Sequence, residues 1–254
     1  MEREIQQQFG AVAENYVASV VHARGEDLPI LRRAAALRRE EWVLDLGTAV
    51  GHTAFMLAPD AAQVVGVDLT TEMLDRATRL AGERQVTNVT FARADVGHLP
   101  FSDSAFDLVT SRYSAHHYGQ PSRVVAEVDR VLKPGGRFLL SDTVAPDDPA
   151  LDTFINTVEL LRDRSHVRDH TIAQWQTLLA GAGLQNEVVH TWNLRLDFSD
   201  WIERMRTPVQ YVEILRALLR DAPTGARHAF SIEREEPLSF CLKGALILAR
   251  KSHR

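Results

Sequence analysis

VLDLGTAVGHTAFMLA, running from Val43 to Ala58, carries a strand, a glycine turn and the start of a helix in immediate succession. Trp42 to Leu46 (WVLDL) is the compact apolar run of a strand buried on both faces. In the turn that follows, glycine permits close approach of backbone to a ligand and a positive φ. The second strand, QVVGVD (Gln63 to Asp68), ends on Asp68, roughly 20 residues beyond Gly47. A carboxylate there can accept hydrogen bonds from both hydroxyls of a ribose. The pairing points to a cofactor that contains a nucleoside.

Outward from this pair, strands and helices alternate. Glu72 to Glu83 reads as a helix with Met73, Ala77 and Leu80 on one face. NVTFARAD (Asn88 to Asp95) and FDLVTSR (Phe106 to Arg112) read as strands, and Pro121 to Leu132 as a helix with Val124, Val128 and Val131 inward. KPGG (Lys133 to Gly136) reads as a turn before a fifth strand, RFLLSD (Arg137 to Asp142). Such alternation implies parallel crossovers and a doubly wound α/β sheet.

The flanks are more irregular. Glu2 to about Leu37 has helical spacing at Ile5, Phe9, Val12, Tyr16 and Val20, with Pro29 near the first turn of a second short helix. Asp152 to Arg162 also reads as a helix. Thr171 to Ala182 is a helix opened by a capping-box pattern, Thr171 with Gln174, and closed at Gly183. NEVVHTW (Asn186 to Trp192) and SFCLKGALILAR (Ser239 to Arg250) read as late strands, with two helical stretches split by Pro208 between them. The division expected is an N-terminal helical cover over 1–40, a core of 41–193 with 238–254, and a helical lid insertion over 194–237.

Composition narrows the function classes. The 254 residues are 45% hydrophobic and 25% charged, without repeats, which argues against disorder and fibrous structure. The 29 basic and 34 acidic residues give a net charge of −5, so no chain-wide basic footprint for nucleic acid is present. The lone Cys241 cannot form an intramolecular disulfide, and a reducing cytoplasm is the expected location. MEREIQQQFG lacks the apolar region of a signal peptide, and no run approaches the ~20 apolar residues of a membrane span.

A dinucleotide fold wants G-x-G-x-x-G, but this chain has Gly47, Ala49 and His52 at those places. Asp45, just before the turn, would also face a pyrophosphate with negative charge, whereas a cofactor carrying an amine and a sulfonium suits it. No Gly-Lys-Ser/Thr of a P-loop follows. VLDLGTAVG, GVDLTTEML, ARADVGHLPFSDSAFDLVTSRYSAHHY and VLKPGGRFLLSD together resemble the class I S-adenosylmethionine-dependent methyltransferases. The likeness extends to the small-molecule subgroup of ubiquinone and menaquinone C-methyltransferases and natural-product enzymes. It covers Val43 to Ala145 closely and the whole chain more loosely.

The resemblance implies a Rossmann-like seven-stranded sheet with its last strand antiparallel. It also implies S-adenosylmethionine as cofactor, with S-adenosylhomocysteine as product. By position, Asp45, Gly47 and Gly51 would border the methionine part, Asp68 hold the ribose, and Leu69 pack on the adenine. Asp95 and the Val96 amide would read the adenine edge, and the Arg112 backbone would line the methionine side. The family's middle glycine is Ala49 here, which fits if its φ is negative. Asp45 could equally be a buried carboxylate holding the glycine turn, and Asp95 a loop cap.

Methyl transfer is an in-line displacement, driven largely by alignment. A base is needed where the acceptor must lose a proton. The catalytic candidates are His116 and His117 in RYSAHHYG, beyond the fourth strand, with Asp142 at the fifth strand's end and Tyr16 on the N-terminal helix. Adjacent histidines cannot easily point the same way, so one base is expected. The alternative is one histidine capping backbone and the other solvated, Tyr16 merely sealing the site and Asp142 capping a loop. His166 and His170 in HVRDH have helical i, i+4 spacing, but no H-E-x-x-H glutamate or third ligand accompanies them, so no metal is expected. Trp192, Phe198 and Trp201 could form an aromatic wall.

The expected activity is methyl transfer to a small aromatic or heteroaromatic acceptor, C-methylation first and O- or N-methylation next, in secondary metabolism. A binding protein that has lost methyl transfer is the rival, supported only by Ala49. Neither nucleic acid nor membrane is expected as a partner, and the chain is expected to be a monomer or homodimer.

Overall fold

The computed structural model describes Ala23 and residues 25–253. Most of the expected N-terminal cover, Tyr16 included, lies outside the described residues. Its end is α1 (Asp27–Ala35), with Pro29 in the first turn as the sequence predicts.

Seven strands form one sheet: β1 (Trp42–Leu46), β2 (Gln63–Asp68), β3 (Val89–Arg93), β4 (Phe106–Arg112), β5 (Leu132–Val144), β6 (Gln185–Asp197) and β7 (Ser239–Arg250). Their spatial order is β3-β2-β1-β4-β5-β7-β6. β1 to β5 pair in parallel, and β7 is antiparallel to both β5 and β6. From β1 the chain winds outward through β2 and β3, then returns to start again at β4. The crevice at the C-terminal ends of β1 and β4 is therefore the switch point where open α/β sheets take their ligands.

Helices cover both faces. On one side, α1, α2 (His52–Leu57) and α3 (Thr71–Glu83) bury Leu31, Ala54, Leu57, Met73 and Leu80 with Val43 and Leu108. On the other, α4 (Pro121–Val131) and α6 (Ile172–Gly181) bury Val124, Val128, Trp175 and Leu179 with Leu44, Val109 and Phe138. Burying each large side chain contributes about 1.5–3 kcal/mol. Covering both faces explains why WVLDL is continuously apolar except at Asp45. The capping box of Thr171 and Gln174 forms as read.

Lys133 to Gly136 departs from expectation. These residues are not a separate turn but a bulge inside β5, where the register jumps from Phe106↔Leu132 to Leu108↔Arg137. Gly135 at φ +76° bends the strand there, and pairing with β4 skips residues 133–136 and resumes at Arg137.

The segment between β6 and β7 also differs in its limits. β6 pairs with β7 as far as Asp197↔Ser239, so the insertion begins at Phe198 rather than at residue 194. Its helices are α7 (Phe198–Met205), α8 (Val209–Arg220) and α9 (Thr224–Ala229). With α5 (Pro149–Arg162) they share a third apolar cluster of Ile155, Val158, Phe198, Trp201, Leu215, Leu219, Phe230 and Phe240. No helix among the described residues is long and apolar enough to cross a membrane.

Candidate active site

The glycine turn and the end of β2 face each other across the switch point. Gly47 has φ +60°, and a Cβ there would lie 2.3 Å from Ser114 Oγ, so only glycine fits. Ala49 also has a positive φ, +47°, against the negative value its methyl would prefer. That geometry costs an L-residue about 1–2 kcal/mol. Asp68 offsets it: its Oδ2 accepts the Ala49 N–H at 2.9 Å while Oδ1 accepts the Thr70 N–H at 2.9 Å. Burial raises the Asp68 pKa, against the pull of these backbone donors. Each carboxylate oxygen keeps acceptor capacity for a ligand.

Asp68 opens onto a cavity of about 280 Å³, lined also by Gly47, Leu69, Asp95, Val96 and Ser114. Asp95 both lines this cavity and caps its own loop, accepting the Gly97 N–H at 2.8 Å. Two carboxylates suit a ligand rich in hydroxyl and N–H donors and oppose a phosphate-bearing one. The ribose hydroxyls of a nucleoside fit these acceptors.

Two expected cofactor contacts, Asp45 and Gly51, fall elsewhere. Asp45 is 1% exposed and lies beneath the turn, accepting from Thr48 Oγ1 at 2.6 Å and Thr110 Oγ1 at 2.7 Å. Burial pushes its pKa up to about 6. It supports the cavity floor and does not line the cavity. Gly51, at φ +89°, packs against Phe55 and Phe91 behind the turn. Arg112, whose backbone is the part expected beside the cofactor, commits its side chain to Asp27: Nε and Nη2 donate to Oδ2 at 2.6 Å and Oδ1 at 2.8 Å. This buried pair ties α1 to the end of β4.

The two histidines diverge, with ring centroids 4.1 Å apart and planes at 51°. His116 Nδ1 lies 2.7 Å from Asp142 Oδ1. Asp142 in turn accepts the Ala115 and Thr143 N–H groups at 2.6 and 2.8 Å. Burial disfavours the His116 cation, but the Asp142 charge outweighs it and holds the pKa up at about 9. Burial likewise opposes the Asp142 carboxylate, and the His116 cation holds it low.

His117 Nδ1 lies 2.9 Å from the Ser165 carbonyl oxygen. A carbonyl only accepts, so Nδ1 carries the proton. Burial, reinforced by the His116 cation, pushes the His117 pKa down to about 4. His117 is therefore neutral at pH 7, with its lone pair on Nε2. One histidine does bind backbone, as the bland alternative held, but the other is ion-paired rather than solvated.

A smaller cavity of about 50 Å³ adjoins the first, lined by His116, Thr143, Glu159, Arg162, Asp163 and Trp201 among others. Among the described residues, only Tyr113 and His117 line both cavities. Tyr113 was not singled out from the sequence. Its positive φ of +49°, uncommon for an aromatic residue, has no sequence signature. Glu159, on α5, carried no signal either.

His166 and His170 part company because Asp163 to His170 is not helical. His166 is buried with Nε2 3.0 Å from Asn156 Oδ1, whereas His170 packs on Trp175 beside Gln174. Among the described residues, His116, Asp142 and Asp169 offer ligand atoms within 4.8 Å of one another. Those atoms are engaged internally, Asp169 accepting from Thr143 Oγ1 at 2.6 Å. The aromatic wall reduces to Trp201. Phe198 is core, and Trp192 lies flat on Gly244.

A family described as "Methyltransferase domain" matches residues 44–140. The Bacillus subtilis methyltransferase YcgJ is 41% identical over 94% of this chain and 96% of its own. Its crystal structure superposes with a TM-score of 0.87, covering 89% of this chain and 98% of that one at 40% identity. The Escherichia coli protein YafE is 40% identical over 74% of this chain and 91% of its own. A demethylmenaquinone methyltransferase of Deinococcus radiodurans is 34% identical over 56% of this chain and 61% of its own.

Proposed function

The chain belongs to the class I S-adenosylmethionine-dependent methyltransferases, and from that premise we propose that it methylates a small aromatic or heteroaromatic acceptor held where the two cavities meet. When bound, S-adenosylmethionine supplies an electrophilic methyl group on a sulfonium. Asp68 would accept from the ribose hydroxyls, Leu69 pack on the adenine, and Asp95 with the Val96 amide read its edge. Gly47 gives the ligand close access to backbone. Tyr113 and His117 would flank the path of transfer.

One observation carries the acceptor's chemistry. His117 borders both cavities, with its proton fixed on Nδ1 by the Ser165 carbonyl and a lone pair on Nε2. Such a group takes a proton from an acceptor as it is methylated, whether a hydroxyl proton or the ring proton released after attack by carbon. Burial, reinforced by the adjoining His116 cation, keeps it neutral. Ring-carbon methylation is the first reading, supported by likeness to a demethylmenaquinone methyltransferase; O- or N-methylation is the second. Ala49 keeps the turn's shape with its amide on Asp68, so no observation favours a chain that only binds cofactor.

The test is incubation with methyl-labelled S-adenosylmethionine and small-molecule extracts, with labelled products found by mass and assigned by NMR. A labelled aromatic carbon or oxygen supports the reading. Label only on an aliphatic amine contradicts it.

A further inference from the structure

We propose that Glu159 anchors the acceptor, its Oε1 accepting a hydrogen bond from a hydroxyl or amino group that enters the smaller cavity. This rests on the acceptor position proposed above. Glu159 is 6% exposed and lines that cavity. Its Oε1 is buried with no hydrogen-bond partner, while Oε2 lies 3.7 Å from Arg162 Nη1. A buried acceptor left unmatched is costly and calls for an explanation.

The surroundings do not supply the missing donor. Arg162 directs its Nε to the Trp201 carbonyl at 3.1 Å, and its guanidinium lies over the Trp201 ring. Arg204 also lines the cavity, and its charge acts on Glu159 without a hydrogen bond to Oε1, while Leu194, Leu196 and Leu242 offer no side-chain donor. About 50 Å³ admits one substituent and the edge of a ring, since a water needs ~10–15 Å³ on such a measure. The acceptor class is thus a ring bearing a hydroxyl or amino group, with the donor on Glu159 and the reacting position toward His117.

The probes are phenol and toluene, alike in size and different in one donor. Each is titrated into the full chain saturated with S-adenosylhomocysteine, followed by amide NMR, with Glu159→Gln and Glu159→Leu alongside. In Glu159→Gln the amide oxygen turns toward Arg162, and its NH₂ meets the cavity, so a donor faces a donor. In Glu159→Leu the acceptor is removed, and S-adenosylhomocysteine affinity checks the fold of both variants. The phenol-to-toluene affinity ratio is expected to fall at least fivefold in both. A ratio that holds, with phenol still shifting the Tyr113 and His117 signals, overturns the anchor and leaves the acceptor position standing. Phenol that fails to bind, or binds without moving those two signals, overturns the acceptor position and the anchor with it.

Discussion

His116 and Asp142 form a partly buried ion pair, Nδ1 to Oδ1 at 2.7 Å, immediately beside a histidine held in the opposite protonation state. The pair sets the charge around His117, and the contrast between the two rings has a pH signature.

His116, raised to about 9 from 6.5, contributes stability that is full below pH 6.5 and lost as pH rises through 9. His117, lowered to about 4, contributes stability that is full above 6.5 and lost as pH falls toward 4. Urea midpoints from pH 4 to 10 read these two contributions as differences between wild type and variant. His116→Gln should flatten the alkaline side and His117→Gln the acid side. A profile unchanged by both would contradict the assignment.

Asp68→Ala should weaken S-adenosylhomocysteine binding by ~1.5–3 kcal/mol, roughly ten- to hundredfold. Calorimetry reads this directly. Unchanged affinity would remove Asp68 from the ribose.

Asp27→Ala leaves the buried Arg112 without the carboxylate that takes two of its donors. Breaking such a pair costs about 3–5 kcal/mol. Denaturant unfolding should show a loss of that order. A loss under about 1 kcal/mol would mean the tie between α1 and β4 is not structural.

The glycine turn yields a contrasting pair of substitutions. Ala49→Gly relieves a positive φ and should stabilise by about 1 kcal/mol. Gly47→Ala drives a methyl into Ser114 and should destabilise the fold and weaken cofactor binding. Equal midpoints for the two variants would contradict the strain assigned here.

The α/β half was legible because its strands are buried on both faces, so their apolar runs stand out from the amphipathic helices. Asp68 was legible as a cavity residue from its place at a strand end, and Asp95 from the family resemblance; both line the cavity. Asp45 and Gly51 were misplaced because a motif gives a position along the chain and not the side of the turn that a group faces. The Asp27–Arg112 and His117–Ser165 contacts join residues far apart in sequence, and nothing local announces them. Glu159 sits in an ordinary amphipathic helix and becomes notable only when the missing donor beside it is known. KPGG read as a turn because its composition is a turn's; the bulge depends on pairing with β4.

The most direct measurement is single-turnover methyl transfer by His117→Gln beside the wild type, with S-adenosylhomocysteine affinity taken on the same samples. General-base removal should slow transfer by about 10²–10⁴-fold while cofactor affinity stays within twofold. Transfer at the wild-type rate with cofactor binding intact would contradict His117 as the proton acceptor.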